Sequence, residues 1–335
     1  MSLTKWVGQR VNDALLSRGF EIVRSERLYG WQHMQTHQER FNAAPLAEDA
    51  KSYLRPDNPK LLDLEQRYRA FDARVTTPAI WKNGHVREED VAYFRGDNGW
   101  VWQVHGTNAN ILAYALCLYY LRSIDRLGLL GRLGEDASFG NFTFRIGDQD
   151  VSRDLLDSIA EIYFLDHHLG IGSRPGFRIL DIGAGYGRLA HRLTTAFPHI
   201  EYTCTDAVSV STFVCDYYLR FRGLEKARAV PLDLIDSTLR EQPVDLAINV
   251  HSFPECKMEA IEWWIQLLSK HRVKHLMIVP NCHDDRMLER EGRDFQPMLE
   301  SYGYRTVLKE PKFLDPVVQE YGPFPSWHHL LELRS

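Results

Sequence analysis

The chain has 335 residues, 44% hydrophobic and 25% charged, an ordinary globular composition with length for one large domain or two smaller ones. Its net charge of -5 gives no electrostatic footprint for nucleic acid or an anionic membrane. The cysteines at 117, 204, 215, 256 and 282 form no C-x-x-C pair; they suggest neither a zinc ribbon nor a disulfide framework and fit a reducing cytoplasm.

The amphipathic start, "MSLTKWVGQRVNDALL", lacks the apolar core of a signal peptide. Residues 1–150 carry charged helical patterns broken by Pro45, Pro56, Pro59 and Pro78. A helix is expected from Asn108 to Leu127, and its apolar run "ILAYALCLYYL" is too short to span a bilayer. The glycines of "GLLGRLGEDASFGNF" then punctuate a loop region. We read 1–150 as a mostly helical domain that caps a pocket, binds an acceptor or forms a homo-oligomer interface.

From Val151 the pattern becomes regular. Leu155, Ile159, Ile162 and Leu169 line one helix face behind a Ser152 cap. Strand candidates "FRILDI", "IEYTCT", "RAVPL", "VDLAINV" and "HLMIVP" alternate with helices expected at about 187–197, 208–221 and 257–269. Such alternation makes βαβ units and a parallel sheet. The tail differs: "YRTVLKEPKF" and "SWHHLLELRS" read as two strands with no helix between them, able to pair antiparallel at a sheet edge. Residues 151–335 therefore form an α/β, doubly wound domain.

The turn "DIGAGYG" (181–187) closes the first of these strands. In open α/β sheets ligands sit beyond the carboxyl ends of the strands. The stretch has no Gly-Lys-Ser/Thr of a P-loop. Its third glycine, Gly187, comes one place too early for the dinucleotide pattern, where Arg188 stands instead. Asp181, before the first glycine, would repel a pyrophosphate but suits a ligand bearing an ammonium group. An amino-acid-containing nucleotide is favoured over NAD, which stays as the rival ligand.

"LDIGAGYGRLA" resembles the first motif of class I S-adenosylmethionine-dependent methyltransferases. The resemblance covers about 151–335 and implies the Rossmann-like, seven-stranded sheet of that family, with a reversed last strand. It implies that Asp181, Gly183, Ala184, Gly185 and Tyr186 lie against the cofactor. By the same likeness Asp206, followed by Ala207, bonds the ribose hydroxyls, and Leu232 and Asp233 border the adenine. The helix before the first strand closes over the cofactor, so Arg153 is expected at its carboxylate, an exposed first-turn charge being the plainer reading. The longer stretches "YFRGDNGWVWQ", "CTDAVSVSTFVCDYYLRFRG" and "LAINVHSFPEC" resemble the sugar O-methyltransferases found among bacterial polysaccharide and glycoside genes. That likeness implies a small sugar or glycoside acceptor; the acidic net charge leads us to expect no nucleic acid or membrane partner.

A sugar hydroxyl is a poor nucleophile near neutral pH, so a general base or an acidifying metal is expected. Asn249, expected among the cofactor-binding residues, stands with His251 and Glu255 where the fourth strand runs out, and His283, Asp284 and Asp285 stand where the fifth does. His251 is the first choice of base, followed by Glu255 and His283; the plainer alternative is that His251 only shapes the pocket. Asp284 and Asp285 with Glu255 are the oxygen ligands magnesium would take, although an Asp there also serves as a helix cap. Tyr93, Arg95, Trp100, Trp102 and Gln103 combine flat rings with hydrogen-bonding groups, as a pyranose requires; Trp100 and Trp102 at i, i+2 equally fit one buried strand face. A phenol or other small-molecule hydroxyl, and a non-catalytic protein that kept the fold, are the remaining readings.

Overall fold

Alternation of side chains along short apolar strands decides the architecture. The computed structural model describes residues 15, 18, 39–82, 84–96, 98–101, 111–281 and 285–334. The chain forms two compact units, Met1–Glu39 and Arg40–Ser335. Apart from the first residue of β1, every element below lies in the second.

The small elements come first: β1 (Glu39–Asn42), α1 (Glu48–Tyr53), α2 (Pro59–Arg69), α3 (Ala73–Thr76), α4 (Glu88–Ala92), α5 (Ile111–Ile124) and α6 (Leu129–Arg132). A hairpin of β2 (Asn141–Ile146) and β3 (Gln149–Val151) turns at Gly147. It completes a three-stranded sheet in the order β1–β2–β3. The part expected to be mostly helical thus contains strands as well. "NFTFRI" and "QDV" are too short to declare themselves outside their pairing.

The main domain follows as α7 (Arg153–Leu169), β4 (Arg178–Ile182), α8 (Arg188–Ala196), β5 (Glu201–Thr205), α9 (Ser209–Phe221), β6 (Ala227–Ala229) and α10 (Ile235–Glu241). Then come β7 (Leu246–Val250), α11 (Met258–Lys270), β8 (His275–Val279), α12 (Gln296–Ser301), β9 (Tyr304–Pro311), α13 (Pro316–Tyr321) and β10 (Trp327–Leu333). The seven strands lie in the order β6–β5–β4–β7–β8–β10–β9. Six run in one direction, and only β10 is reversed, inserted antiparallel between β8 and β9. This is the class I methyltransferase fold, reversed last strand included.

The Ser152 hydroxyl caps α7 by accepting from the Leu155 N–H at 3.0 Å. Between the tail strands, where no helix is expected, α13 forms: Asp315 caps it through the N–H groups of Val317 and Val318, and Pro316 fills its first turn. Six residues are too few to show a helical period.

Successive strand residues face opposite layers. Ile179, Leu246, Ile248 and Met277 pack with α5, α7 and α8 on one face of the sheet. Leu180, Ile182, Ala247, Leu276 and Ile278 pack with α2, α10 and α11 on the other. Segments from 40–150 therefore sit in both cores, and the boundary expected at 150/151 does not separate two bodies. No helix among the described residues is long and apolar enough to cross a membrane.

Candidate active site

β4 is the switch point of the sheet: its neighbours, β5 and β7, lead the chain outward in opposite directions. Beyond its carboxyl end the backbone turns through Gly183 (φ +73°) and Gly185 (φ +57°), then through Gly187 (φ +88°), which begins α8. These conformations suit glycine. At Gly183 space requires it too: a Cβ there would stand 2.2 Å from the Ser252 Oγ, whereas one on Gly185 would make ordinary contact with the Trp100 ring at 3.4 Å. The turn is tied to the next strand, since Gly183 and Ala184 N–H both donate to the Thr205 carbonyl.

A cavity of about 740 Å³ opens here. Asp181, Gly183, Ala184, Gly185, Tyr186, Asp206, Ala207 and Arg153 line it together. Two buried carboxylates mark this end. Asp181 accepts from the Tyr202 hydroxyl at 2.8 Å; Asp206 accepts from Gly185 N–H at 3.1 Å and Val208 N–H at 2.8 Å. Burial pushes each up to about 7, more than these hydrogen bonds offset. Tyr186 lies beneath, its hydroxyl donating to Asp154.

β7 delivers the next part of the cavity's lining. His251 has φ +63°, an uncommon conformation for a side-chain-bearing residue, held by its N–H donating to the Val279 carbonyl at 2.8 Å. Arg153 Nη2 lies 3.4 Å from His251 Nδ1, and its Nε donates to Asp157 at 3.2 Å. Burial, then the Arg153 charge, drives the His251 imidazole well below its usual range, so it is neutral. Guanidinium only donates, so Nδ1 accepts and the ring proton is assigned to Nε2. The Arg153 guanidinium also lies 3.9 Å from the Phe324 ring centroid. Lys312 fixes that phenylalanine from behind, pairing with buried Asp157 and donating to the Phe324 carbonyl.

Glu255 faces the same cavity and accepts from Trp81 Nε1 at 2.7 Å. Burial raises its pKa. Trp81 packs against His85 (4.7 Å between centroids) and Trp100 (5.8 Å), and Trp100 Nε1 donates to the Ser211 hydroxyl at 2.9 Å. An aromatic wall with polar anchors thus stands beside the glycine turn.

Other expected site residues lie elsewhere. Leu232 is fully buried and gives its N–H to the Tyr68 hydroxyl; Asp233 is held by Arg67. Neither lines the cavity, because α2 covers that end of the sheet. Asn249 is buried, donating to the Ile182 carbonyl and accepting from Phe253 N–H at 2.9 Å each. It braces the two strand ends and does not line the cavity. Arg95 is buried in ion pairs with Glu135 and Asp136, and Tyr93 stays off the cavity, its carbonyl accepting from Asn98. Asp285 pairs with Lys309 rather than joining Glu255. Among the described residues no group of three His, Cys, Asp or Glu side chains could hold a metal ion. Trp102, Gln103, His283 and Asp284 lie outside the described residues.

Sequence reasoning missed Trp81, Ser252 and Phe324. Trp81 and Glu255 are separated by 174 positions, and no spacing rule relates them.

No family model matches the chain, and no curated protein sequence matches it. Among solved structures it is similar to the cyclase SpnF (13% identity over 66% of this chain and 96% of that one, TM-score 0.40). It is also similar to the mitomycin 7-O-methyltransferase MmcR (16%, 85% and 75%, TM-score 0.40). A third is the magnesium protoporphyrin IX methyltransferase of Synechocystis PCC 6803, solved with bound SAM (13%, 67% and 96%, TM-score 0.38). The strand order and reversal described above carry the fold assignment.

Proposed function

We propose that this protein is an S-adenosylmethionine-dependent O-methyltransferase acting on a hydroxyl of a sugar or glycoside. One observation carries the reading: a cavity shared by the bare glycine turn, two buried carboxylates, the Glu255 carboxylate and a Trp81–Trp100 wall. The donor set suits the cofactor. Asp181 offers a buried negative charge to an ammonium, Asp206 has lone pairs left for ribose hydroxyls, and the turn admits close backbone approach. When bound, S-adenosylmethionine supplies the electrophilic methyl group.

The chain's own residues then have separable tasks. Glu255, oriented by the Trp81 N–H, takes the proton of the acceptor hydroxyl. His251, the first expected base, has its Nδ1 lone pair engaged by Arg153 and offers an N–H instead, so it positions rather than deprotonates. The rings of Trp81 and Trp100 supply flat apolar surface for a pyranose C–H face. Trp81 and Trp100 come from the first half of the chain, which supports an acceptor-binding role for that half. The same rings, with Phe324, also suit a phenolic acceptor, which is the second reading.

Calorimetric titration with S-adenosylhomocysteine, and in parallel with NAD, each with and without magnesium, tests the cofactor. Micromolar binding of S-adenosylhomocysteine alone is expected; tighter binding of NAD would sink the reading. With an acceptor in hand, Glu255→Gln should lower kcat about 100-fold or more while S-adenosylhomocysteine affinity holds. An unaffected kcat would remove Glu255 as the base.

A further inference from the structure

The cavity is not electrostatically uniform. At its inner end every arginine is answered by a buried carboxylate: Arg153 by Asp157, Arg188 by Glu161. At its mouth the pattern fails. Lys257 and Arg290 both line the cavity, both are exposed, and among the described residues neither charged head has a hydrogen-bond or ion-pair partner. They are neighbours by construction, because Arg290 N–H donates to the carbonyl of Cys256 at 3.1 Å, the residue before Lys257. His85, on Trp81, lines the same cavity.

Two adjacent cations with no partner among the described residues repel each other unless something answers them. Glu255 does so in part, for Arg290 acts to lower its pKa, but that carboxylate already accepts from Trp81. The chain is acidic overall, and the other exposed residues that line the cavity, Thr77, Pro78 and Asn281, are uncharged. A basic pair held at a pocket entrance matches an oxyanion on whatever enters.

We infer that the acceptor is anionic: the sugar or glycoside carries a phosphate or carboxylate group that Lys257 and Arg290 hold at the mouth while its hydroxyl reaches Glu255. This rests on the proposed methyl-transfer reading for the identity of the acceptor, but the anion site itself does not. Both cations are solvent-accessible, so the attraction is screened by salt and acts mainly on capture of the acceptor.

The test is calorimetric titration of four probes: inorganic pyrophosphate, glucose 1-phosphate, glucuronate and methyl glucoside. Each is run on the full chain with and without S-adenosylhomocysteine, at two ionic strengths, for wild type and for the Lys257→Gln/Arg290→Gln variant. The expected result is binding of at least one anionic sugar roughly tenfold tighter than methyl glucoside, weakened by salt and lost in the variant. The variant should keep its S-adenosylhomocysteine affinity, which shows that it is folded. Glucose 1-phosphate above glucuronate assigns a phosphate; the reverse assigns a carboxylate. Equal affinity for methyl glucoside, no binding of any anion, or an unaltered variant overturns the inference. Failure of S-adenosylhomocysteine to bind while pyrophosphate still binds would sink the methyltransferase reading and leave the anion site standing.

Discussion

Asp181 and Asp206 show how one residue's surroundings become a measurable property. Both sit about 7 against an ordinary 3.8, burial being the main cause. Tyr202 and Arg188 oppose the rise at Asp181 while Glu161 adds to it; the Val208 and Gly185 N–H groups oppose it at Asp206 while Glu255 and Asp181 add to it. Between about pH 4 and 7 the folded protein holds protons here that the unfolded chain has lost. Their contribution to stability is therefore full at low pH and disappears as pH rises through 7. A ligand offering an ammonium or hydroxyl donors favours the ionised forms, so S-adenosylhomocysteine binding at pH 7 should release protons. Binding enthalpies in buffers of different ionisation enthalpy measure this; the release should shrink in Asp206→Asn, and no release in wild type would contradict the assignment. Gly183→Ala is the second expectation at this scale. Its methyl would meet Ser252 Oγ at 2.2 Å in a left-handed conformation, so we expect a loss of about 1–3 kcal/mol in denaturant unfolding, with weakened cofactor-product binding. Asp181, the glycines and Asp206 were legible in the sequence because the backbone constraint and the carboxylates are close together along the chain.

At the scale of elements, buried charge holds the first half of the chain against the sheet domain. Glu135, after α6, reaches Arg95 beyond α4, Arg192 on α8 and the Ser152 cap of α7. Burial would raise its pKa, but Arg192 and then Arg95 outweigh that and hold it low. Glu135→Ala leaves two arginines buried without this partner and should cost about 3–5 kcal/mol in denaturant unfolding; a loss below 1 kcal/mol would show that water replaces the carboxylate. Arg95 had read as a sugar contact because sequence proximity to Trp100 was the only guide; burial and pairing decided otherwise. The Trp81 contact makes a further prediction about the loop after α3. Its N–H lowers the Glu255 pKa, so Trp81→Phe should move the acid limb of the kcat profile to higher pH, whereas a merely packing role would leave the limb in place.

For the whole molecule, the sheet is covered on both faces partly by residues before 150. Tyr53 stacks on Phe213 at 5.1 Å, and Phe94 meets Tyr186 and Tyr218 at 5.5 Å each. A fragment of 151–335 alone would uncover these rings, and we expect it to aggregate and lack near-ultraviolet ellipticity, while the full chain unfolds cooperatively. A monomeric, cooperatively folding fragment would refute the shared core. Legible along the chain alone were the five alternating strands, their helices, the antiparallel terminal pair and the glycine turn, because apolar period and backbone sterics act over a few residues. The sequence by itself could not determine α13, the β1–β2–β3 sheet or the unbroken packing across residue 150, since these depend on pairing and burial. Only the tertiary structure took Leu232, Asp233, Asn249 and Arg95 off the cavity and brought Trp81, Phe324, Lys257 and Arg290 to it. The physical reason is that a pocket wall is assembled from segments far apart along the chain, and no local period records which of them meet.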